Sequence, residues 1–268
     1  MATLHPSNRA FHWEPHRGPY RRITEEQARA YDERGGFVLE NAFDADTVAR
    51  VVAELDPLEA RTTEFLRAQK GGKMFIAQAD AITFTVHCVL QSAVLRKFVA
   101  GPVFQDLTRD LIGSDVRLYW DQAVYKKPEP DREFPWHQDN GYTYIEPQAY
   151  LTCWVALTDA DEENGCPWIA PGLHREGTLA HSMTDLGWSC IDEAPHAVPL
   201  PVSAGGIAVF SSLTPHRTGP NRTNGVRKAY IVQFAPDGAG RVDVAADGSR
   251  TVVPQADPDR QFRIVSAD

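Results

Sequence analysis

The sequence predicts a mainly β domain with helices packed around the outside of a β-core. Three observations lead there. Helix-forming patterns are confined to residues 21–114. From residue 115 the texture changes to short apolar or alternating runs separated by Pro, Gly, Asn and Asp; several such strands with turn signals predict a sandwich or barrel. A chain of 268 residues with 43% hydrophobic and 24% charged residues can bury a sizeable core, and no repeat, low-complexity tract or linker divides it. We therefore read residues 1–268 as one domain: an irregular arm over 1–20, a mainly helical flank over 21–114, the β-core over 115–240 and a C-terminal segment over 241–268.

The elements follow in order. Thr24 with Gln27 three residues on forms a capping-box pattern, so a helix starts there and stops before Gly35-Gly36. A short strand follows, Phe37 to Glu40. Asp44 or Asp46 caps a second helix running to about Leu55, and residues 57–73 read either as more helix or as irregular chain before a Gly71-Gly72 turn. Ser92 to Ala100 and Pro102 to Ile112 read as two helices separated by Gly101-Pro102 and closed by Gly113. The strands of the core are Val116 to Tyr125, Ala149 to Leu157, Trp168 to Ala170, Gly206 to Ser211 and Lys228 to Ala235.

Composition excludes several classes. The formal net charge of -9 argues against a nucleic-acid partner, which favours a basic face. No run of about 18 apolar residues offers a membrane span, and residues 1–20 lack the apolar stretch of a signal peptide. Cys88, Cys153, Cys166 and Cys190 are widely spaced with no C-x-x-C pair, so a zinc cluster is not expected and a reduced, cytoplasmic setting is.

The most informative segment is Phe134-Pro135-Trp136-His137-Gln138-Asp139-Asn140. On an extended chain, residues i and i+2 share a face, so the His137 imidazole and the Asp139 carboxylate can meet one ion. His216, just beyond the strand Gly206 to Ser211 and stiffened by Pro215, can supply a third ligand. Two histidines and one carboxylate on one side of an ion leave three positions open, which suits iron(II) and oxygen chemistry. The triplet H-x-D is common by itself, and nine histidines make a distant partner easy to find. His5, His12 and His16 read as surface residues; His181 and His196 read as loop or rim residues. Arg227 alone reads as one of a basic loop group with Arg222 and Lys228.

Ordered blocks supply the missing context. Trp136-His137-Gln138-Asp139, the strand Tyr150-Leu151-Thr152-Cys153-Trp154-Val155-Ala156-Leu157, Glu163-Asn164-Gly165-Cys166-Pro167, Pro171-Gly172-Leu173-His174-Arg175 and His216-Arg217-Thr218-Gly219-Pro220-Asn221, with Arg227 eleven residues beyond His216, together resemble the phytanoyl-CoA dioxygenase family over about residues 120–236. The N-terminal third matches more loosely, through its helix and Gly35-Gly36-Phe37-Val38. The resemblance implies a double-stranded β-helix, a cupin-like jelly roll with the metal in its mouth. It implies iron(II) held by His137, Asp139 and His216, with 2-oxoglutarate and O2 as cosubstrates. Arg227 is then the two-pronged cation for the distal carboxylate, where Arg fits better than Lys. Thr218 donates a hydroxyl to the same carboxylate, Trp154 walls the cosubstrate, and Tyr125 and Gln138 hydrogen-bond its other end; a regular strand points Gln138 away from His137 and Asp139.

The implied reaction is hydroxylation of an unactivated C–H bond in a small molecule, with release of succinate and CO2. The same site also supports oxidative cyclisation, epimerisation or desaturation. A cupin-like zinc or manganese isomerase or hydrolase would share the three ligands but has no use for Arg227, and a non-catalytic barrel would have no need of a complete ligand set. Three departures matter: Leu173 stands where the family has Ser, Lys126-Lys127-Pro128 offers two lysines where one is usual, and the carboxylate of Asp139 disfavours halogenation. Substrate contacts are expected from His87, Cys88, Asp121, Gln122, Tyr142, Tyr144 and Trp188, with Leu179 to Ala197 long enough to form a lid. No basic cluster marks a coenzyme A site, which favours a small polar or natural-product substrate over an acyl thioester.

Overall fold

Local chemistry sets the helical flank. In the computed structural model, which describes residues 3–266 except 10, 130 and 246, the capping box forms as expected. The Thr24 hydroxyl accepts from the Gln27 N–H at 3.2 Å, and the Gln27 carboxamide accepts from the Thr24 N–H at 2.9 Å. The helix Glu25–Arg34 then ends at Gly35, whose φ of 87° is the left-handed conformation that glycine adopts without strain. Of the arm and the C-terminal segment, residues 1–2, 10, 246 and 267–268 lie outside the described residues.

The second helix differs from its expected length. Asp44 caps it, and it runs 23 residues, Ala45–Arg67, straight through Pro57. Proline removes one hydrogen bond in a helix interior and disfavours the helix locally. Here Leu55, Leu58 and Leu66 are all buried beside it, and packing of an apolar face carries most helical stability in a folded protein. Helices Ala93–Val99 and Pro102–Leu111 complete the flank, with Ser92 and Gly101 at their caps as the sequence predicts.

Nine strands form the large antiparallel sheet. Its order is Gly36–Leu39, Ile207–Ser211, Leu151–Ala156, Arg227–Pro236, Val116–Lys126 and Ile82–Val86, continued by short strands at 77–78 and 73–74, while Arg263–Val265 pairs with the start of Val116–Lys126. A smaller sheet orders Val198–Pro199, Pro167–Ile169 and His216–Thr218, and a bridge from His137 to His216 extends it. The two sheets make the expected jelly roll with helices outside. The five expected strands all form, within two residues of their predicted ends. Ile82–Val86, Gly240–Val244, Arg250–Pro254 and Arg263–Val265 are additional. Ile82–Val86 has four β-branched residues around Phe84, a strand-forming composition, but it sits among helical segments and its partner, Val116–Lys126, lies far along the chain.

Period-two alternation splits the large sheet into two cores. Leu151, Cys153, Val155, Tyr230, Val232, Ala123 and Tyr125 pack with Leu55, Leu95, Phe104 and Leu107 of the helices. Trp154, Ala156, Val124, Ile82, Phe210 and Ile231 turn the other way, toward Ile169 and Leu200 of the small sheet. A strand covered on both sides is nearly all apolar, and every residue of Leu151–Ala156 is buried, Thr152 alone being polar. The cavity described below opens on the second face. Cys88, Cys153, Cys166 and Cys190 are free thiols, and no helix among the described residues is long and apolar enough to cross a membrane.

Candidate active site

Three donors converge at the barrel mouth. Ligand atoms of His137, Asp139 and His216 all lie within 4.8 Å of one another. His137 and His216 sit directly opposite on neighbouring chains. The His137 N–H donates to the His216 carbonyl at 3.0 Å, and the His216 N–H donates back at 2.8 Å. This exchanged pair fixes both backbones, and the rings lie 4.2 Å apart. Asp139 Oδ1 stands 3.7 Å from His216 Nε2. This pair of bonds thus sets the register of two ligands that are 79 residues apart in sequence.

Outer hydrogen bonds orient each donor. Nδ1 of His137 meets the Pro135 carbonyl at 2.9 Å, and Nδ1 of His216 meets the Thr214 carbonyl at 2.9 Å. A carbonyl only accepts, so Nδ1 carries the proton on both rings and Nε2 is left as a lone-pair donor toward the centre. The Thr152 hydroxyl donates to Asp139 Oδ2 at 2.6 Å, and the Gln233 carboxamide donates to Thr152 at 3.2 Å, which leaves Oδ1 for an ion. Burial, followed by the neighbouring His216, pushes His137 down to about 3. Burial alone leads for His216, pushed down to about 4. Both rings are therefore neutral, the form that binds metal. Burial also raises the Asp139 carboxyl, which is the cost of an anion with no cation beside it, and a dication at this point would offset it.

Thr152 and Gln233 were not foreseen from the sequence. The signal was available: Thr152 shares the strand face of Trp154, two residues on. Such partners hold ligand geometry and tune affinity. Thr152→Val is expected to lower iron(II) affinity about 10- to 100-fold with the fold intact. Metal titration beside circular dichroism checks this, and an unchanged affinity would show that the hydroxyl does not orient Asp139.

Arg227 lines the same cavity as the three donors. It is 1% exposed, and none of its three guanidinium nitrogens has a hydrogen-bond partner. Its guanidinium lies 5.0 Å from the Trp154 ring, and burial draws its pKa down to about 10. A buried cation with five unused donors is costly unless an anion joins it. A carboxylate matches that fork bidentately. Thr218, Trp154 and Gln122 line the cavity with it. The residues present thus fit both a divalent ion and a carboxylate-bearing cosubstrate.

Several expected contacts are corrected. Tyr125 faces the helices, where its hydroxyl donates to Asp56 at 2.6 Å; it shares the parity of Ala123, whereas Gln122 and Val124 face the cavity. Tyr125→Phe is therefore expected to cost about 1 kcal/mol of stability and to leave 2-oxoglutarate affinity unchanged, as urea unfolding and ligand titration will show. Gln138 is also withdrawn from the cosubstrate. Its carboxamide is fully buried, accepts from the Leu179 N–H at 2.6 Å and donates to the carbonyls of Gly177 and Leu213. It ties the ligand loop to two neighbouring segments. Asp121 is fully buried on the helix side, where it accepts from Tyr230 at 2.8 Å and from the Val89 N–H at 3.2 Å. Cys88 is buried in the same core. His87 lies beyond its strand with its ring 4.3 Å from Trp120. Tyr142 touches the His137 ring edge-on at 5.3 Å, but with Tyr144 and Trp188 it lines a separate cleft of about 550 Å³. The hairpin formed by Ser182–Thr184 and Gly187–Ser189 lies over this edge of the barrel: a side chain in place of Gly187 would meet Tyr142, Ile76 and Phe134. Of the two lysines, Lys126 is inside and 1% exposed, while Lys127 turns outward to Glu59 at 3.3 Å.

A jelly-roll mouth holding two imidazoles, one carboxylate and an unpartnered buried arginine defines the class of non-haem iron, 2-oxoglutarate-dependent oxygenases. Comparison with known proteins agrees. The family described as phytanoyl-CoA dioxygenase (PhyH) matches residues 31–229, and the chain belongs to that family. "Phytanoyl-CoA dioxygenase domain-containing protein 1" of Mus musculus is 28% identical, covering 82% of this chain and 92% of its own length. "Ectoine dioxygenase" of Bordetella bronchiseptica is 26% identical, over 74% of this chain and 71% of its own. The crystal structure of the epimerase SnoN with Fe3+, alpha ketoglutarate and nogalamycin RO superposes with a TM-score of 0.71 at 23% identity, covering 90% of this chain and 98% of that one.

Proposed function

We propose that the chain is an iron(II)- and 2-oxoglutarate-dependent dioxygenase that hydroxylates an unactivated C–H bond of a small metabolite or natural product, with release of succinate and CO2. The observation that carries this is Arg227, buried and unpartnered in the cavity of the three metal donors. A zinc or manganese isomerase has no use for such a cation. When bound, iron and 2-oxoglutarate supply the oxygen activation and the oxidising equivalents.

The chain's own residues do the rest. His137 and His216 present neutral Nε2 atoms, and Asp139 presents the oxygen that Thr152 does not hold. Arg227 and Thr218 bind the distal carboxylate of the cosubstrate, and Trp154 walls it. Phe134 and Phe210 pack on the ligand rings at 5.0 and 4.5 Å and, with Phe84, Val124 and Ile231, give the cavity an apolar wall beside its polar groups, which serves to exclude water from the reacting centre. The cavity measures about 70 Å³, below the usual range for a whole drug-sized ligand. It houses the reacting centre, and the bulk of a substrate lies toward the mouth. Which hydrogen that placement presents decides between hydroxylation and the other oxidative outcomes; among the relatives, one is named a dioxygenase of ectoine and another an epimerase.

We assign the reaction to residues 1–268 acting as one domain, since the arm and C-terminal segment both pack on the barrel, through Tyr144 to the Ser7 carbonyl and through the Arg263–Val265 strand. The isolated thiols suit a cytoplasmic setting. The test is anaerobic titration of the iron(II) protein with 2-oxoglutarate, followed by admission of O2. A visible metal-to-ligand charge-transfer band and then succinate are expected. Absence of both the band and succinate would overturn the reading.

A further inference from the structure

A second buried cation stands beside Arg227. Lys126 and Arg227 are direct partners across the ladder, so their side chains leave the same face of the sheet a few ångströms apart. Each is 1% exposed. The Lys126 ammonium donates to the Gly219 carbonyl and, at 3.1 Å, to the Arg132 carbonyl. Its own carbonyl accepts from the Asn221 carboxamide at 2.9 Å. Lys126 thereby holds the chain just after His216 and Thr218. Among the described residues it has no carboxylate in ion-pair contact. On its other side it pairs with Ile82. Glu129 and Glu133, from the loop that follows, pair instead with Arg132 at 3.8 Å and with Arg217. Beyond Arg227 stands the Cys166 thiol, held un-ionised by burial.

Two like charges side by side in a buried site repel; Glu129 and Glu133 favour the Lys126 charge only from a distance, and burial and Arg227 outweigh them. A dicarboxylate entering beside Arg227 removes that repulsion. We propose that Lys126 is a positioning residue for the distal carboxylate of 2-oxoglutarate and that cosubstrate binding is coupled to uptake of a proton at its amine. The inference rests on the reading of 2-oxoglutarate as the cosubstrate. Burial, and then Arg227, push Lys126 down to about 7, so the amine without cosubstrate is partly unprotonated near neutral pH. A carboxylate nearby favours the charged form. The sign follows. Below that pKa the amine is charged with or without ligand, and affinity is full. As pH rises through it, the empty site loses the proton, binding must recover it, and affinity falls.

The probe is 2-oxoglutarate itself, titrated calorimetrically into the anaerobic iron(II) protein in phosphate and in Tris, whose ionisation heats differ. Wild type should take up on the order of half a proton or more near pH 7.5, and its dissociation constant should rise about fivefold or more between pH 6.5 and 8.5. Lys126→Met should bind more weakly at pH 6.5, with no proton uptake and a flat pH profile. Lys126→Arg, which keeps the charge at every pH, should also be flat. If Lys126 is only a strut, the wild type takes up no proton, and that measurement decides even where a variant fails to fold. Uptake that persists in Lys126→Met would assign the proton elsewhere and overturn the proposal. Absence of 2-oxoglutarate binding in the wild type would instead overturn the functional reading on which it stands.

Discussion

Replacing His216 with Ala is expected to abolish the anaerobic charge-transfer band and to reduce succinate formation to background. Three ligands hold the ion on one face, and the other positions are needed for cosubstrate and oxygen. Removing one imidazole leaves a bidentate His-x-Asp pair. Loss of an outer partner already lowers affinity about 10- to 100-fold in metal sites of this kind, and loss of the ligand itself has a larger effect. The expected result is specific to the side chain. The backbone of residue 216 still exchanges hydrogen bonds with His137, and the ring's aromatic neighbours among the described residues are Phe210 and His137 at the cavity, so the barrel should survive truncation at this position. Circular dichroism and thermal melting should therefore change little while metal binding is lost. A folded variant with an undiminished band would remove His216 from the metal.

Arg227→Ala separates cosubstrate binding from metal binding. Truncating one partner of a buried, hydrogen-bonded charge pair costs about 2–5 kcal/mol, or roughly 30-fold to several thousand-fold in affinity. The loss should fall on 2-oxoglutarate, because Arg227 makes no hydrogen bond to the protein that its removal could break. Iron(II) affinity without cosubstrate should stay near that of the parent. Stability should hold or rise, since an uncompensated buried cation is removed. Titration of both ligands checks the split. Equal weakening of metal and cosubstrate would mean that Arg227 supports the barrel mouth and not the carboxylate.

The parts of the site differ in how openly the sequence carries them. His137 and Asp139 are two residues apart on an extended chain, and that spacing alone puts them on one face. Arg227 needed the ordered blocks around it, since a lone arginine between Arg222 and Lys228 reads equally well as a surface residue. Tyr125 and Asp121 were misplaced for a simple reason: with Gln122 and Trp154 toward the cavity, strict alternation already sends them to the helix side. Gln138 was misplaced in the other direction. Its parity points away from the metal, and the structure shows what it does there, closing three hydrogen bonds that lock the ligand loop. The run through Pro57 is a case where packing overrode local preference, whereas Ile82–Val86 has strand-forming residues whose pairing partner lies far along the chain.

Spacing and composition, local properties of the chain, determined the helical flank, the five strands of the core and the H-x-D pair. Ordered blocks added the family and the third ligand. Only the tertiary structure decided which sheet face each residue joins, that Thr152 and Gln233 hold Asp139, that the Pro135 and Thr214 carbonyls set both imidazoles, and that Lys126, not Lys127, stands beside Arg227. The physical reason is the range of the interactions. Capping and alternation are settled within a few residues, whereas the Gln233–Thr152 bond, the placing of His137 opposite His216 and the Lys126–Arg227 juxtaposition depend on register between segments about 80 to 100 residues apart.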